Sequence, residues 1–345
     1  MKKLSHKAWL RQVRRSQRTN RLSLRLRRRR RLGGRISQVI SAPEDFYFLN
    51  VLARRKLFSF LELVKTTLAA NIRVVIDFEA TRQLHPCGTL IFLSHIDLWL
   101  DKYPGQLTCR YPEDPVVEEL LQHVSVLSKL GLTSRKVVSH ERVKHWLFHC
   151  GTELDSATYS DLTKSTRSGI VHPHKELFAD CLNEAVANTI HHAYEYPFKN
   201  IPSPAQQKWW MLSLLKDEEL FVAIYDAGIG IPSSLRRKPR FAEYFKVRNY
   251  NDARLIQAAV GSRWTSTQLP HRGNGLPEML EFSQSLEHGG LSIWSENGGL
   301  SYNPQIPDKR NREVRHHIDQ RLPGTLVLWS IPFRKEQENA HDFDS

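Results

Sequence analysis

The sequence predicts two folded domains, an α/β domain followed by an α+β two-layer sandwich. Strand and helix patterns alternate through residues 36–135, which is typical of βαβ units. Residues 173–334 instead contain a long helix, a hairpin, a further helix and two late strands, which favours helices on one face of a mixed sheet. A chain of 345 residues with 40% hydrophobic residues is long enough to form two such cores.

A strongly basic arm precedes both domains. Residues 1–35 contain fifteen Lys and Arg and no acidic residue, so the chain's net charge of +14 becomes 14 − 15 = −1 for the remainder. The arm lacks the apolar core of about 7–15 residues that a secretory signal needs. We expect either a solubilising tail or a contact with a polyanion. Because arginine predominates, a nucleic acid or an acidic partner is favoured over an anionic lipid.

The elements of the first domain follow from the spacing of its apolar residues. Helical spacing runs through 57–68, and a β-branched strand covers 72–78. A turn follows at 85–89. The remaining predicted elements are a helix over 90–100, a strand over 106–111 and a helix over 116–130 that Gly131 ends.

The second domain is reached through a connector, residues 136–172, for which we expect loop and a strand near 143–148. A helix is predicted over 173–194, and apolar runs at 209–215 and 220–225 flank a polar turn, as in a β-hairpin. The remaining predictions are a helix after Gly275 with Pro277 in its first turn, strands at 291–294 and 325–331, and a tail at 335–345.

Glu184 and Asn188 are the first candidate site residues. They lie four residues apart and so share one face of the predicted helix. Asn188 offers an amide oxygen to Mg²⁺, which prefers oxygen ligands and keeps several waters. Glu184 is placed to activate a group that attacks a γ-phosphate. Alternatively, both residues belong to the exposed polar face of an amphipathic helix.

A second group of candidates ends the strand at 220–225. The carboxylate of Asp226 can accept a hydrogen bond from the exocyclic amine of adenine. Gly228 and Gly230 allow the backbone to turn tightly and to approach the base. The alternative is a capped turn that binds nothing.

A third group opens the next helix. Gly273 and Gly275 precede Leu276, and backbone N–H groups at such a helix start can bind phosphate oxygens. The segment before them, 236–272, carries nine Lys or Arg against two acids, like a basic lid over a triphosphate. A solvated loop is the alternative.

The three motifs, in this order, resemble those of the GHKL ATPases, whose ATP-binding domain is a Bergerat-type sandwich. Residues 183–194 look most like the N-box of the anti-sigma-factor serine kinases in that superfamily, and Gly324-Thr325 resembles its closing element. The resemblance covers about half of the chain. It implies a catalytic base, Glu184, a metal ligand, Asn188, and an ATP site formed by Asp226, Gly228, Gly230, Arg272, Gly273, Asn274, Gly275, Leu276 and Thr325.

The first domain resembles the STAS domain of bacterial anti-sigma-factor antagonists, over about a quarter of the chain. The resemblance rests on the strand at 74–78 and the link to Pro86-Cys87-Gly88-Thr89. That family commonly has a phosphorylated serine just before the glycine, where this chain has Cys87. The difference argues against serine phosphorylation here, although Thr89 is close. Another kind of βαβ domain is the alternative.

These features predict a bacterial, cytoplasmic signalling protein that binds ATP and Mg²⁺ and acts as a nucleotide-dependent switch. Its activity would be slow ATP hydrolysis or protein phosphorylation, and a protein partner is expected through the STAS-like domain. The sequence leaves dimerisation open. Two alternatives remain: a nucleic-acid-associated protein whose basic arm is gated by ATP, and a pseudoenzyme that binds ATP without turnover.

Other site classes find little support. No stretch approaches about 18 apolar residues, so no membrane span is predicted. The four cysteines form no CxxC pair, so the sequence indicates neither a zinc site nor a disulfide framework.

Overall fold

The computed structural model describes residues 37–137, 143, 146–153, 174–194, 207–237, 250–261 and 275–333. The basic arm, most of the connector, parts of the predicted lid and the tail at 335–345 lie outside the described residues, as do Arg272, Gly273 and Asn274. No helix in the described ranges has the length and apolar character needed to cross a membrane.

The first unit is built on a three-stranded parallel sheet. Its elements are β1 (Ser37–Ser41), β2 (Asp45–Phe46), α1 (Val51–Ala69), β3 (Arg73–Asp77), β4 (Gln83–Leu84), α2 (Pro86–Lys102), β5 (Leu107–Arg110), α3 (Pro115–His123) and α4 (Val126–Lys129). The strand order is β1-β3-β5, and β2 pairs separately with β4. Capping side chains start the helices: Asn50 accepts from two N–H groups of α1, and Asp114 does the same for α3.

The second unit is a five-stranded sheet with helices. Its elements are β6 (Trp146–Gly151), α5 (His174–Asn188), a π-helical turn (Thr189–Ala193), β7 (Trp209–Lys216), β8 (Glu219–Asp226), α6 (Ile231–Arg237), α7 (Asp252–Gly261), α8 (Gly275–Ser285), β9 (Gly290–Tyr302), a 3₁₀ turn (Lys309–Asn311) and β10 (Glu313–Pro332). The strand order is β6-β7-β8-β10-β9. All four pairings are antiparallel, so the prediction of a mixed sheet is wrong for the described strands.

Both faces of the five-stranded sheet are covered. Along β8, Val222 and Ile224 point into the core beneath α5 and α8, whereas Ala223 and Tyr225 point into the core of the first unit. Helix α2 packs on β7 and β8 from that second side. The first unit therefore forms a third layer on the face that a two-layer sandwich would leave to solvent.

Aromatic and charged contacts hold the two units together at the far end of the sheet. The rings of Phe48 and Trp294 meet edge to face, with centroids 5.4 Å apart. The buried guanidinium of Arg54 lies over the Trp294 ring at 5.7 Å. Arg55 pairs with Asp319 of β10 at 2.5 Å, but both side chains are about half exposed, so this pair adds little stability.

The structure departs from the predicted elements in several places. Residues 86–89, predicted as a turn, form the first turn of α2, because the His85 cap and Pro86 start this helix earlier. The helix predicted over 116–130 is broken at Ser125, whose φ of 61° is left-handed. The prediction missed this break because the helical spacing of apolar residues continues across Ser125. Strand β6 lies within the predicted connector but pairs with β7 at the sheet edge. Strands β9 and β10 extend well beyond the predicted apolar runs, since their outer halves pair through glycine, histidine and charged residues.

Candidate functional site

A cavity of about 140 Å³ lies between α5, α8 and the five-stranded sheet. Its walls are largely apolar and include Ile224, Ile229, Met279 and Val327. The predicted site residues that line it are Asn188, Asp226, Gly230, Gly275, Leu276 and Thr325. Three motifs that are far apart in the sequence therefore meet around one space.

Asp226 places a carboxyl group in this apolar cavity. It ends β8 and is only 6% exposed. The backbone N–H groups of Gly228, at 2.8 Å, and of Thr325 donate to it. Burial nevertheless raises the pKa of Asp226 to about 7, because the charged form is poorly solvated there. A ligand that donates a hydrogen bond would stabilise the ionised carboxylate.

The two glycines after Asp226 are required by the packing of the turn. A Cβ atom on Gly228 would lie 2.3 Å from the carbonyl oxygen of Ala193. Gly230 has a φ of 83°, and a Cβ atom there would lie 2.7 Å from the Ser295 hydroxyl. Both glycines thus let the turn fit between the end of α5 and the sheet, but of the two only Gly230 is among the described residues that line the cavity.

The π-helical turn after α5 fixes the position of the Asp226 turn. The carbonyl of Ala193 accepts a hydrogen bond from Ile229 N–H at 2.8 Å. The next residue, Tyr194, donates its hydroxyl to the carbonyl of Lys208 at 2.6 Å and accepts from Ala227 N–H at 3.2 Å. Such local widening of a helix is frequent at functional sites. The sequence motif includes Tyr194 but gives no sign of this role.

Ser295 is a further residue that sequence reasoning missed. Its hydroxyl donates to the carbonyl of Gly324 at 2.6 Å and accepts from Ile231 N–H at 3.0 Å. The same hydroxyl lies 3.4 Å from that of Thr325. Ser295 therefore joins the Asp226 turn to β10 beneath the cavity, and no sequence signal marks it, because serine is unremarkable within a strand.

Glu184 lies at the contact between α5 and α8. It shares a helix with Asn188, but it is not among the described residues that line the cavity. A Cβ atom on Gly275 would lie 1.9 Å from Cγ of Glu184. The glycine at the start of α8 therefore leaves room for this side chain, and the carboxylate sits beside the helix end predicted to bind phosphate.

One basic residue of the predicted lid is used for packing. Arg236 pairs with Asp252 at 2.6 Å, and its other terminal nitrogen lies 3.8 Å from the buried carboxylate of Glu296. These contacts join α6, α7 and β9. Helix α7 itself is packed through buried side chains such as Leu255 and Ile256. The lid residues 238–249 and 262–272 lie outside the described residues.

The lining of the cavity offers groups that could hold a nucleotide base and a metal ion. An apolar space with a buried carboxyl suits a base that carries an amine. Mg²⁺ bound to a nucleotide needs only one or two protein oxygens, and Asn188 provides one at the cavity wall. Within the described ranges, no group of three or more His, Cys, Asp or Glu could hold a metal ion by itself.

A chain of hydrogen bonds runs from the first unit to the Asp226 turn. Asp97 of α2 accepts from Lys129 at 2.6 Å, and from Lys208 and the Trp210 indole at 3.2 Å each. Burial acts to raise the pKa of Asp97, but these donors outweigh it and hold the pKa below its usual value. The carbonyl of Lys208 also accepts from Tyr194, so two residues, Lys208 and Tyr194, connect α2 to the Asp226 turn through hydrogen bonds.

The start of α2, whose residues carry the resemblance to STAS domains, lies on the side of the sheet away from the cavity. Cys87 and Thr89, at the start of α2, are both fully buried in the core of the first unit. Burial raises the pKa of the Cys87 thiol far above its usual range. In this arrangement neither side chain can accept a phosphoryl group from a nucleotide in the same chain's cavity, because the sheet separates them.

The raised pKa of Asp226 predicts how the stability of the free protein depends on pH. A carboxyl with a pKa of about 7 when folded, against about 3.9 when unfolded, binds its proton more tightly in the folded state. Its contribution is complete below about pH 4 and is lost as the pH rises through about 7. In urea titrations, Asp226→Asn should therefore gain unfolding free energy relative to wild type between about pH 5 and pH 8. An equal difference at both values would contradict the burial of this carboxyl.

A scan against protein-family models matched none of them, and a search of curated proteins found no match.

Proposed function

We propose that the second unit is an ATP- and Mg²⁺-binding domain of the GHKL type. The observation that carries the proposal is the buried Asp226 carboxyl in an apolar cavity, with its glycine turn pressed against the end of α5. In this proposal the Asp226 carboxylate accepts from the adenine amine, Asn188 binds the metal, and the start of α8 faces the phosphates. The resemblance of the three sequence motifs supports the same assignment.

The protein then acts as a nucleotide-dependent switch in bacterial signalling, by slow ATP hydrolysis or by phosphorylating a partner protein. The STAS-like first unit reads the nucleotide state through Asp97, Lys208 and Tyr194, whose hydrogen bonds connect α2 with the Asp226 turn. Because Cys87 and Thr89 are buried on the other side of the sheet, the phosphoacceptor, where there is one, belongs to another surface.

The proposal is tested by measuring ATP affinity calorimetrically in the presence of Mg²⁺. Asp226→Asn replaces an acceptor with an amide whose NH₂ group opposes the adenine amine, so we expect ATP to bind about 100-fold more weakly. Asp217→Asn is the matched control, because Asp217 is highly exposed in the β7–β8 turn and far from the cavity. Equal ATP affinity of the wild type and Asp226→Asn, or no ATP binding by either protein, would refute the proposal.

Glu184 decides between an active enzyme and an ATP-binding pseudoenzyme. Its position against Gly275, rather than on the cavity wall, favours neither role by itself, since catalytic hydrogen bonds often form only with substrate present. If Glu184 is the base, Glu184→Ala abolishes turnover while ATP affinity is kept. Turnover that survives the substitution favours the pseudoenzyme.

A second candidate function is supported by the charge of the N-terminal arm. Fifteen basic residues within residues 1–35 form the kind of segment that binds nucleic acids by releasing counterions. DNA and RNA affinity should then fall steeply with salt for the full chain and be lost without residues 1–35. An unchanged affinity and a flat salt dependence reject this function and leave the ATP proposal untouched.

A further inference from the structure

A second and larger cavity, of about 560 Å³, opens where the first unit meets the β7–β8 hairpin. It lies on the face of the sheet that α2 covers, because Leu214 and Phe221 in its wall pack against the core of the first unit. The sheet therefore separates it from the nucleotide cavity. Its volume falls within the range of about 300–1,000 Å³ that is usual for small-molecule sites.

Part of this cavity is apolar. Leu49, Leu214 and Phe221 line it and are only partly buried, so a ligand would remove further apolar surface from water. The ring of Tyr47 adds an aromatic wall, 4.6 Å from the ring of His85. Leu52, also in the lining, leaves 68% of its surface exposed. These side chains suit a ligand with a compact apolar body.

The charged side chains of the lining are mainly cationic. Lys56 of α1 and Lys216 of β7 approach from the two units, and Asp45 is the one acid among the described lining residues. Lys216 has a neighbour in Asp217, but their charged atoms are 3.8 Å apart and both side chains are exposed, so this pair is weak. Two ammonium groups are therefore available to a ligand.

Two neutral side chains add donors rather than acceptors. The Nδ1 atom of His85 accepts from Cys87 N–H, and burial, helped by the charge of Lys216, lowers the pKa of His85 to about 4. The ring is therefore neutral, with its proton on Nε2. The side-chain oxygen of Asn50 already caps α1, which leaves its NH₂ group free to donate. These two donors add to the ammonium groups of Lys56 and Lys216.

We propose that this cavity binds a small organic anion, in which one carboxylate or phosphate group is attached to an apolar body of about the size of an aromatic ring. The anionic group lies between Lys56 and Lys216, and the ring lies between Tyr47 and Phe221. The site does not depend on the ATP proposal, because no residue of the nucleotide cavity takes part.

The test is a calorimetric titration of the full-length protein with benzoate and with phenyl phosphate, which separate the carboxylate and phosphate alternatives. Benzamide, which lacks the charge, and inorganic phosphate, which lacks the ring, are the matched probes. We expect one of the two aromatic anions to bind saturably and both matched probes to bind about tenfold more weakly. Lys56→Ala and Lys216→Ala should each weaken that binding about tenfold.

Lys65→Ala is the control variant, because Lys65 is exposed on the same helix as Lys56 and pairs with Glu62 outside the cavity. It should leave binding unchanged, as should Asp226→Asn. The proposal is overturned if neither aromatic anion binds, if both lysine variants bind as wild type does, or if Asp226→Asn weakens the binding of the anion, which would place it in the nucleotide cavity instead.

Discussion

Replacing Gly228 with alanine is expected to abolish ATP binding and to lower the free energy of unfolding by about 3 kcal/mol. The added Cβ would lie 2.3 Å from the carbonyl oxygen of Ala193 and 2.6 Å from its Cβ. Backbone cannot yield as a flexible side chain does, so the turn and the end of α5 must separate. The hydrogen bond from Ile229 N–H to Ala193 would then be lost, and Asp226 would move.

Gly261→Ala is the matched control for this experiment. A Cβ atom at Gly261, the last residue of α7, would meet nothing within 4 Å. This variant should bind ATP as the wild type does and be equally stable or slightly more so. Calorimetry and urea titration measure both quantities. Wild-type ATP affinity in Gly228→Ala would show that the close packing of the turn is irrelevant to the site.

Replacing Asp97 with alanine is expected to lower the free energy of unfolding by about 3 kcal/mol and to weaken ATP binding several-fold. The substitution leaves the partly buried ammonium groups of Lys129 and Lys208 without their shared acceptor, together with the Trp210 indole. The Lys208 carbonyl accepts from Tyr194, which in turn accepts from Ala227 N–H. Increased motion of Lys208 should therefore loosen the turn that holds Asp226. Urea titration and calorimetry report the two effects separately.

The same variant distinguishes simple destabilisation from coupling between the units. Asp217→Asn, at an exposed position of the β7–β8 turn whose left-handed φ of 52° asparagine tolerates, controls for the loss of an acid and should change neither quantity. If Asp97 positions the nucleotide site, ATP affinity falls under conditions where Asp97→Ala is fully folded. Loss of stability with unchanged ATP affinity would confine Asp97 to holding the two units together.

The sequence predicts the parts of the site that depend on local spacing. Glu184 and Asn188 lie one turn apart on α5, as their spacing of four residues predicts. Asp226 ends a strand because an apolar run stops there, and it does line the cavity, as Asn188 does. The assignments of ATP, Mg²⁺ and a catalytic base to these residues stay predictions.

The sequence does not predict the contacts that hold the site in place. Ala193, in the π-helical turn, and Tyr194, which follows it, bond to the Asp226 turn, and such tertiary contacts leave no signal in local helix propensity. The packing of α2 on the sheet is hidden for another reason. Both faces of β8 are apolar, which predicts that both faces are buried. The apolar pattern does not predict which element covers each face.

A crystal structure of the protein grown with Mg²⁺ and a non-hydrolysable ATP analogue would show whether the Asp226 cavity is an ATP site. We expect the adenine amine within hydrogen-bond distance of the Asp226 carboxylate, and a metal ion bound by the oxygen of Asn188 and by phosphate oxygens. Nucleotide bound elsewhere, or a base in the cavity with no contact to Asp226, would rule this site out.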